Sequence, residues 1–228
     1  INYPDNTTYI AYGRCIEYSL ESKKELLLLK DLTLSMQAYG KKEHSHLKLF
    51  GGVAFDMDTP ATIPWEGLPK GLFFIPEFLI TKKNNKCFIS FFILINKNSD
   101  AQRIYHYYQS FIKQLNETTV LPEAALIFQY NIPSKNEYSG LFNQIKDSIN
   151  NNAINKAVLS KIKKFNVNNR VSLQKTSSRC TNFHIDFSKN THFIGSTPER
   201  LIEVNKKVFK TDALAGTSKK NKNNIKKF

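Results

Sequence analysis

The sequence predicts a mixed fold in which α-helices accompany largely antiparallel β-strands. Two long apolar runs, 72–80 and 87–95, are joined by the charged turn KKNNK, and this pattern is typical of a buried antiparallel hairpin. Apolar residues recur at helical spacing in three segments, 21–39, 100–115 and 134–151. A chain of 228 residues can form one large domain or two small ones, and the absence of a repeat or a linker favours one.

The N-terminal half is predicted to consist mainly of strands. Residues 8–20 alternate on either side of Tyr12-Gly13-Arg14 and predict a hairpin. Residues 47–56 predict a strand in which Gly51-Gly52 marks a bulge or a close backbone approach. Pro76 lies inside the first long apolar run and predicts a sheet edge or a bulge, because proline cannot donate a ladder hydrogen bond.

The C-terminal half is predicted to end in a β-meander. A short strand at 124–131 precedes the third helical segment, for which Ser139 is the expected N-cap. That helix leads into KAVLSK (156–161), an apolar run that predicts a strand, and the meander begins at Asn182. The basic tail, about 218–228, has no apolar periodicity and is expected to be disordered.

The positive charge of the chain does not by itself indicate a nucleic-acid partner. Lysine and arginine number 33 against 19 acidic residues, which gives a formal net charge of +14. The excess is mostly lysine in stretches rich in asparagine and isoleucine, as an AT-rich coding sequence would give. Arginine, the commonest base-reading side chain, is scarce, and no nucleic-acid-binding motif is present. No nucleic-acid function is therefore expected.

The composition indicates a cytoplasmic protein with reduced thiols. No run of about 18 uncharged apolar residues predicts a membrane span, and no secretory signal is present. Cys15, Cys87 and Cys180 are odd in number and lack metal-ligand spacing. No His/Cys/Asp cluster has ligand spacing either, and His184 is expected to be structural or to line a pocket. The first residue is not methionine, so the true N-terminus is expected to be missing.

Two short blocks supply a candidate base and a candidate acid. KAVLSK begins with Lys156, which could act as a general base if partial burial favoured its neutral amine. FIGSTPERLIEV (193–204) presents Glu199 at a turn, and a desolvated pocket would favour the protonated carboxyl that can donate to a leaving hydroxyl. A solvated strand end and an ordinary surface turn are the alternatives. A base and an acid on opposite sides of a ring suit a displacement in which water adds and hydroxide leaves.

A third block, TDALAGTSKK (211–220), supplies a loop of small residues at Ala215-Gly216-Thr217. Such a loop lets backbone N–H groups approach a carboxylate, although an ordinary tight turn has the same composition. Lys161, Lys219 and Lys220 would add positive charge for a dianionic substrate.

These three blocks resemble, in sequence and order, the corresponding blocks of the chorismate-utilising enzymes. FGGVAFD and FFIPEFLI resemble the paired strand segments that precede the core of that family, so the resemblance covers most of the chain from about Leu47. Within the family, the chain is most similar to the isochorismate synthases of menaquinone or siderophore biosynthesis. The resemblance implies an α/β fold of the α+β type, with two antiparallel β-sheets packed together and helices outside, in a single chorismate-binding domain over residues 1–228.

The resemblance also implies Mg²⁺-dependent conversion of chorismate to isochorismate. Water would add at ring carbon C2 while the C4 hydroxyl leaves. Lys156 resembles the base that activates water, Glu199 resembles the acid that protonates the departing hydroxyl, and Ala215, Gly216 and Thr217 match the loop that contacts substrate. Lysine at position 156 favours water over ammonia as the nucleophile. A monomer with no membrane or nucleic-acid partner is expected.

The chain departs from the family pattern near its C-terminus. The glutamates that bind Mg²⁺ in the family lie after the third block, so metal ligands are expected downstream of residue 228 and none in this chain. Lys161 replaces the usual arginine, and the segment RVSLQKTSSRC (170–180) is shorter and less apolar than the expected helical connection. The chain is therefore expected to be the N-terminal portion of such an enzyme and inactive alone. A sibling anthranilate, aminodeoxychorismate or salicylate synthase and a non-catalytic basic binding protein remain alternatives.

Overall fold

A computed structural model of the chain describes residues 1–213 apart from 2, 4–5, 28, 32–46, 63–64, 118–123, 170, 172–179, 189 and 206–207. The chain divides into two compact units, one of Ile1–Ile112 with Leu173–Phe228 and one of Lys113–Ser172, and each is described by itself. The predicted loop at 215–217 and the predicted basic tail at 218–228 lie outside the described residues.

Strands predominate over helices along the described chain. The strands are β1 (Thr8–Tyr12), β2 (Ile16–Leu20), β3 (Phe50–Val53), β4 (Gly71–Ile75), β5 (Phe78–Lys83), β6 (Lys86–Phe91), β7 (Leu126–Ile132), β8 (Ile162–Val167), β9 (Thr181–Ser188), β10 (Thr191–Thr197), β11 (Glu203–Asn205) and β12 (Val208–Lys210). The α-helices are α1 (Ala101–Leu115) and α2 (Lys135–Asn150). A 3₁₀ turn at Lys23–Glu25 leads into helical residues 26–27 and 29–31, which begin the predicted helix of 21–39.

The predicted hairpin of residues 8–20 is wrong, because β1 and β2 do not pair with each other. β1 pairs antiparallel with β5, and β2 pairs antiparallel with β4. The two strands therefore enter different three-stranded sheets, of order β1-β5-β6 and β2-β4-β3. Both sheets are built on the same two chain segments, 8–20 and 71–83, which run antiparallel to each other. The long run 72–80 is likewise split at Pro76 between β4 and β5.

One extra residue separates the two sheets along these paired segments. Tyr12 aligns with Phe78 and Ile16 aligns with Ile75, so that three residues, 13–15, lie opposite the two at 76–77. An extra residue of this kind is a β-bulge, which interrupts the ladder and bends the strand. The location of Pro76 is thus explained: it separates two strands where the ladder is already broken.

Gly13 supplies the backbone conformation that is needed where the two sheets meet. Its φ angle is +67°, in the left-handed region that glycine adopts at little cost. A Cβ at this position would overlap the carboxylate end of the Glu77 side chain, so any other residue here would also require that side chain to move. Gly13 and Pro76 together define what we call the Gly13–Pro76 junction.

The core of the first unit forms around Phe78. Its side chain is fully buried, and its ring stacks on Phe111 of α1 at 3.7 Å and on Phe91 of β6 at 4.6 Å between centroids. Helix α1 begins after Asp100, whose carboxylate accepts hydrogen bonds from N–H groups of the first turn. The helix predicted over 100–115 is confirmed, and Phe111 lies on its predicted apolar face.

The close backbone approach predicted at Gly51-Gly52 is confirmed for Gly51. A Cβ on Gly51 would lie 2.1 Å from the carbonyl oxygen of Leu72 and 2.7 Å from Cα of Phe73, both in the paired strand β4. A Cβ on Gly52 would meet no heavy atom within 4 Å. Only the first of the two glycines is therefore required by packing.

The second unit contains α2 and the antiparallel pair β7–β8. Ser134 and Glu137 form a capping box at the start of α2, in which each side chain accepts a hydrogen bond from the other residue's backbone N–H. The prediction that Ser139 caps this helix is wrong, because its hydroxyl donates to the carbonyl oxygen of Lys135 inside the helix.

The mixed fold of helices and antiparallel sheets is confirmed. The C-terminal part of the first unit adds the hairpins β9–β10 and β11–β12, and every strand pairing along the described chain is antiparallel. Among the described residues, no helix combines the length and the apolar character needed to cross a membrane.

Candidate functional site

The first block lies in the second unit between α2 and β8, and its predicted strand is wrong. Residues 156–161 form no strand, and β8 begins only at Ile162. Ile162 aligns with Ile132, the last residue of β7, after which Pro133 and the N-cap residue Ser134 lead into α2. The partner strand therefore ends where the block would need one, and proline offers no N–H to extend the ladder.

Lys156 is exposed in this segment, and so is the neighbouring Val158, with 84% of its surface accessible. The ammonium group of Lys161 lies 5.8 Å from the ring centroid of Tyr138 in α2, within the range of a cation–π contact. The described residues of this unit do not provide the partial burial on which the general-base argument depends. The role of Lys156 therefore stays a prediction.

The second block lies in the first unit, and Glu199 follows β10 after a single intervening residue. β10 ends at Thr197, whose hydroxyl accepts a hydrogen bond from the Glu199 N–H at 3.3 Å and donates one to the Glu199 carbonyl at 3.1 Å. These two bonds hold the backbone in a turn around Pro198, as small hydroxyl side chains often do. Glu199 itself is exposed.

The third block begins beside the second. The Asp212 N–H donates to the Arg200 carbonyl at 3.0 Å, and Oδ2 of Asp212 accepts from the backbone N–H and from Nε of Arg200 at 3.2 and 3.4 Å. The Thr211 hydroxyl donates to the Leu201 carbonyl at 2.7 Å. The hairpin β11–β12 reverses the chain direction between the two blocks and so makes these contacts possible. The residue after Glu199 is thereby held against the start of the third block.

The predicted site residues are distributed over both units. Lys156 belongs to the second unit and Glu199 to the first, and each unit is described by itself. Within the first unit, the second block and the start of the third block are in direct contact through Arg200 and Asp212. The loop at 215–217 continues the third block beyond the described residues.

A family model for chorismate binding enzymes matches residues 2–227, nearly the whole chain. The chain belongs to this family. The family that the three blocks indicate is therefore confirmed.

The chain is also similar in sequence to a curated relative. The isochorismate synthase MenF of Haemophilus influenzae is 25% identical over 155 residues, which make up 64% of this chain and 35% of that protein. The chain thus spans about a third of the relative's length.

One cluster in this chain escaped prediction from the sequence. His184 and Asp186 on β9 and His192 on β10 each place one potential ligand atom within 4.8 Å of the others. The alternation H-x-D on a strand was the available signal, but the sequence does not show which residue of the next strand lies opposite. The sequence expectation concerned spacing along the chain only, whereas pairing of β9 with β10 brings these three residues together in space.

The cluster does not fit the Mg²⁺ ion that the family resemblance implies. Mg²⁺ prefers an octahedron of oxygen ligands, whereas this cluster offers two imidazole nitrogens and one carboxylate. In the described part of the chain, no second cluster of three such side chains was found. We assign no Mg²⁺ ligand to the described residues.

Proposed function

We propose that this chain is the chorismate-binding part of an isochorismate synthase. Water adds at ring carbon C2 of chorismate, the ring double bonds shift, and the C4 hydroxyl leaves as water. The observation that carries the proposal is the family match over residues 2–227, a range that includes all three blocks. The similarity to an isochorismate synthase at 25% identity supports the choice of this reaction within the family.

In this proposal, Lys156 accepts a proton from the attacking water and Glu199 donates a proton to the departing hydroxyl. One proton is taken up and one is released, so the net charge of the site is the same before and after turnover. Both side chains are exposed in their units. Acid–base catalysis of this kind works best away from bulk water, so bound substrate or parts of the protein outside the described residues would have to cover them.

The loop of residues Ala215, Gly216 and Thr217 is proposed to bind a substrate carboxylate through its backbone N–H groups. The contact between Arg200 and Asp212 supports this role, since it holds the start of the third block next to Glu199. The proposal includes one chorismate-binding domain over residues 1–228, a monomeric state and a cytoplasmic location. It also includes dependence on Mg²⁺, with ligands outside the described residues.

The test is an assay of the protein encoded by the complete reading frame that contains these residues. Chorismate and Mg²⁺ are supplied, and the products are identified by chromatography. Isochorismate is the expected product. Lys156→Gln and Glu199→Gln should each lower kcat by about 100-fold or more, the usual contribution of a general acid or base. Residues 1–228 alone are expected to be inactive.

Matched controls separate the proposed roles from a general loss of charge. Lys163→Gln removes an exposed lysine of β8 in the same unit as Lys156, and Glu66→Gln removes an exposed glutamate in the same unit as Glu199. Both should retain full activity. Anthranilate, aminodeoxychorismate or salicylate as the product, with ammonia or glutamine present, would instead assign a sibling reaction. Unchanged kcat in Lys156→Gln would refute its role as the base.

A further inference from the structure

The cluster of His184, Asp186 and His192 lies on one face of the β9–β10 hairpin. His184 and Asp186 are two residues apart on β9, so their side chains point to the same side of the strand. His192 on β10 aligns directly with Asp186, and residues opposite each other in an antiparallel pair share a face. The other face carries aromatic side chains, with Phe183 packed on Phe193.

A bulge in the hairpin is what brings the second histidine to this face. Thr191 aligns with Ser188, but His192 aligns with Asp186, so Phe187 is an extra residue in β9. In an unbroken register His192 would lie opposite Phe187 and point to the other face. The guanidinium of Arg14 donates to the carbonyl oxygens of Asp186 and Phe187, at 3.4 Å each, and so binds the backbone at the bulge.

The three side chains are close enough to share one small ligand. Oδ1 of Asp186 lies 2.5 Å from Nδ1 of His192 and 2.8 Å from Nε2 of His184. The two imidazole rings are perpendicular, with centroids 5.5 Å apart. Nε2 of His184 is buried, yet it makes no hydrogen bond within the described structure despite its short distance to the carboxylate. A buried polar atom without a hydrogen bond is costly unless something else satisfies it.

We propose that His184, Asp186 and His192 bind one divalent transition-metal ion of the zinc class. Two imidazole nitrogens and a carboxylate oxygen suit Zn²⁺ and its neighbours in the first transition row, and a three-residue set leaves a coordination position for water. The ion would satisfy Nε2 of His184. The site is independent of the proposed isochorismate synthase activity, since no step of that reaction uses these residues.

The hairpin can accommodate the ion with small side-chain movements. Ligand atoms at about 2.0–2.1 Å from a tetrahedral zinc ion lie about 3.4 Å from one another. The distances from Oδ1 of Asp186 to the two histidine nitrogens must increase to this value. The distance between the two histidine nitrogens, at most 4.8 Å, must reach the same value. Asp186 is 47% exposed, so its carboxylate has room to move.

The test is zinc binding by the chain of residues 1–228 after removal of metals with a chelator. Equilibrium dialysis with elemental analysis should give about one zinc ion per chain, and the melting temperature should rise with zinc because the ion binds the folded state. Mg²⁺ should give neither effect. His192→Asn and Asp186→Asn should each weaken zinc binding by more than about 100-fold, since even groups that only orient a ligand contribute about 10- to 100-fold.

His106→Asn is the matched control, because His106 is an exposed histidine of α1 outside the cluster. A variant with both His44→Asn and His46→Asn tests the two histidines that lie outside the described residues. Both variants should retain full zinc binding. Circular dichroism confirms that each variant is folded, and the two cluster variants provide independent tests if one is not. Failure of the unmodified chain to bind zinc, or retention of binding in His192→Asn and Asp186→Asn, would overturn the proposal and leave a cluster of polar side chains without an ion.

Discussion

A single added methyl group at Gly51 tests how closely β3 and β4 approach each other. In Gly51→Ala the new Cβ would lie 2.1 Å from the Leu72 carbonyl oxygen and 2.7 Å from Cα of Phe73. Contacts of a Cβ under 3.0 Å essentially never occur in real proteins. Both of these neighbours are backbone atoms of β4, so no side-chain rotation can relieve the overlap and the strands must separate.

The size of the effect follows from these distances. Raising the contact from 2.1 Å to 3.0 Å requires a movement of 0.9 Å, the difference between the two values. Neighbouring strands are only about 4.8 Å apart, so a shift of that size lengthens ladder hydrogen bonds beyond their useful range. Loss of one bond costs about 1 kcal/mol and overpacking costs about 1–3 kcal/mol. Gly51→Ala should therefore lower the free energy of unfolding by about 2–4 kcal/mol.

The assay is equilibrium unfolding in urea, followed by circular dichroism, with Gly52→Ala as the matched control. Gly52 is the next residue of the same strand, and a Cβ there meets nothing within 4 Å. Its effect should stay within about 1 kcal/mol, because alanine restricts the unfolded chain and so offsets a small cost in the strand. Equal urea midpoints for the two variants would refute the inferred close contact at Gly51.

Two further predictions concern a tyrosine and a helix cap. The hydrogen bond to Glu77, together with burial, raises the pKa of Tyr107 to about 12 from 10.0, so folding favours the neutral phenol. The stability that this tyrosine contributes is present below pH 10 and is lost as the pH rises toward 12. In Tyr107→Phe the urea midpoint should therefore fall less between pH 10 and pH 12 than in the unmodified chain. The control Tyr105→Phe should show the same fall as the unmodified chain. Ser134→Ala should cost about 1 kcal/mol by removing the capping box of α2. Ser139→Ala should cost less, and equal losses in thermal unfolding would contradict the cap assignment.

Local patterns predicted the elements of this fold better than their partners. Helix α1 follows from apolar spacing and from Asp100 at its start, both of which are local. The turn between β5 and β6 is local too, since Asn84 and Asn85 adopt positive φ angles of 48° and 62°, as asparagine tolerates in tight hairpins. The strands β1 and β2 were predicted correctly, but their partners lie far along the chain, and no nearby residue specifies them.

The candidate site was predictable as a set of residue types but not as an arrangement. The short apolar run of KAVLSK suggested a strand, yet a strand also needs a neighbour, and β7 ends before it can pair with residues 156–161. The contact of Arg200 with Asp212 depends on the hairpin between them, which the meander pattern predicted in outline. The histidine cluster depends on one extra residue, Phe187, and the sequence pattern does not reveal where a bulge will form.

The Gly13–Pro76 junction has a consequence for how the first unit unfolds. β4 and β5 are the central strands of their respective three-stranded sheets, and they follow one another in the chain with only two residues between them. Neither sheet can release its middle strand without pulling on the middle strand of the other. We therefore expect the two sheets to unfold as a single cooperative unit, with their most protected amides exchanging at a common opening free energy rather than in two separate steps.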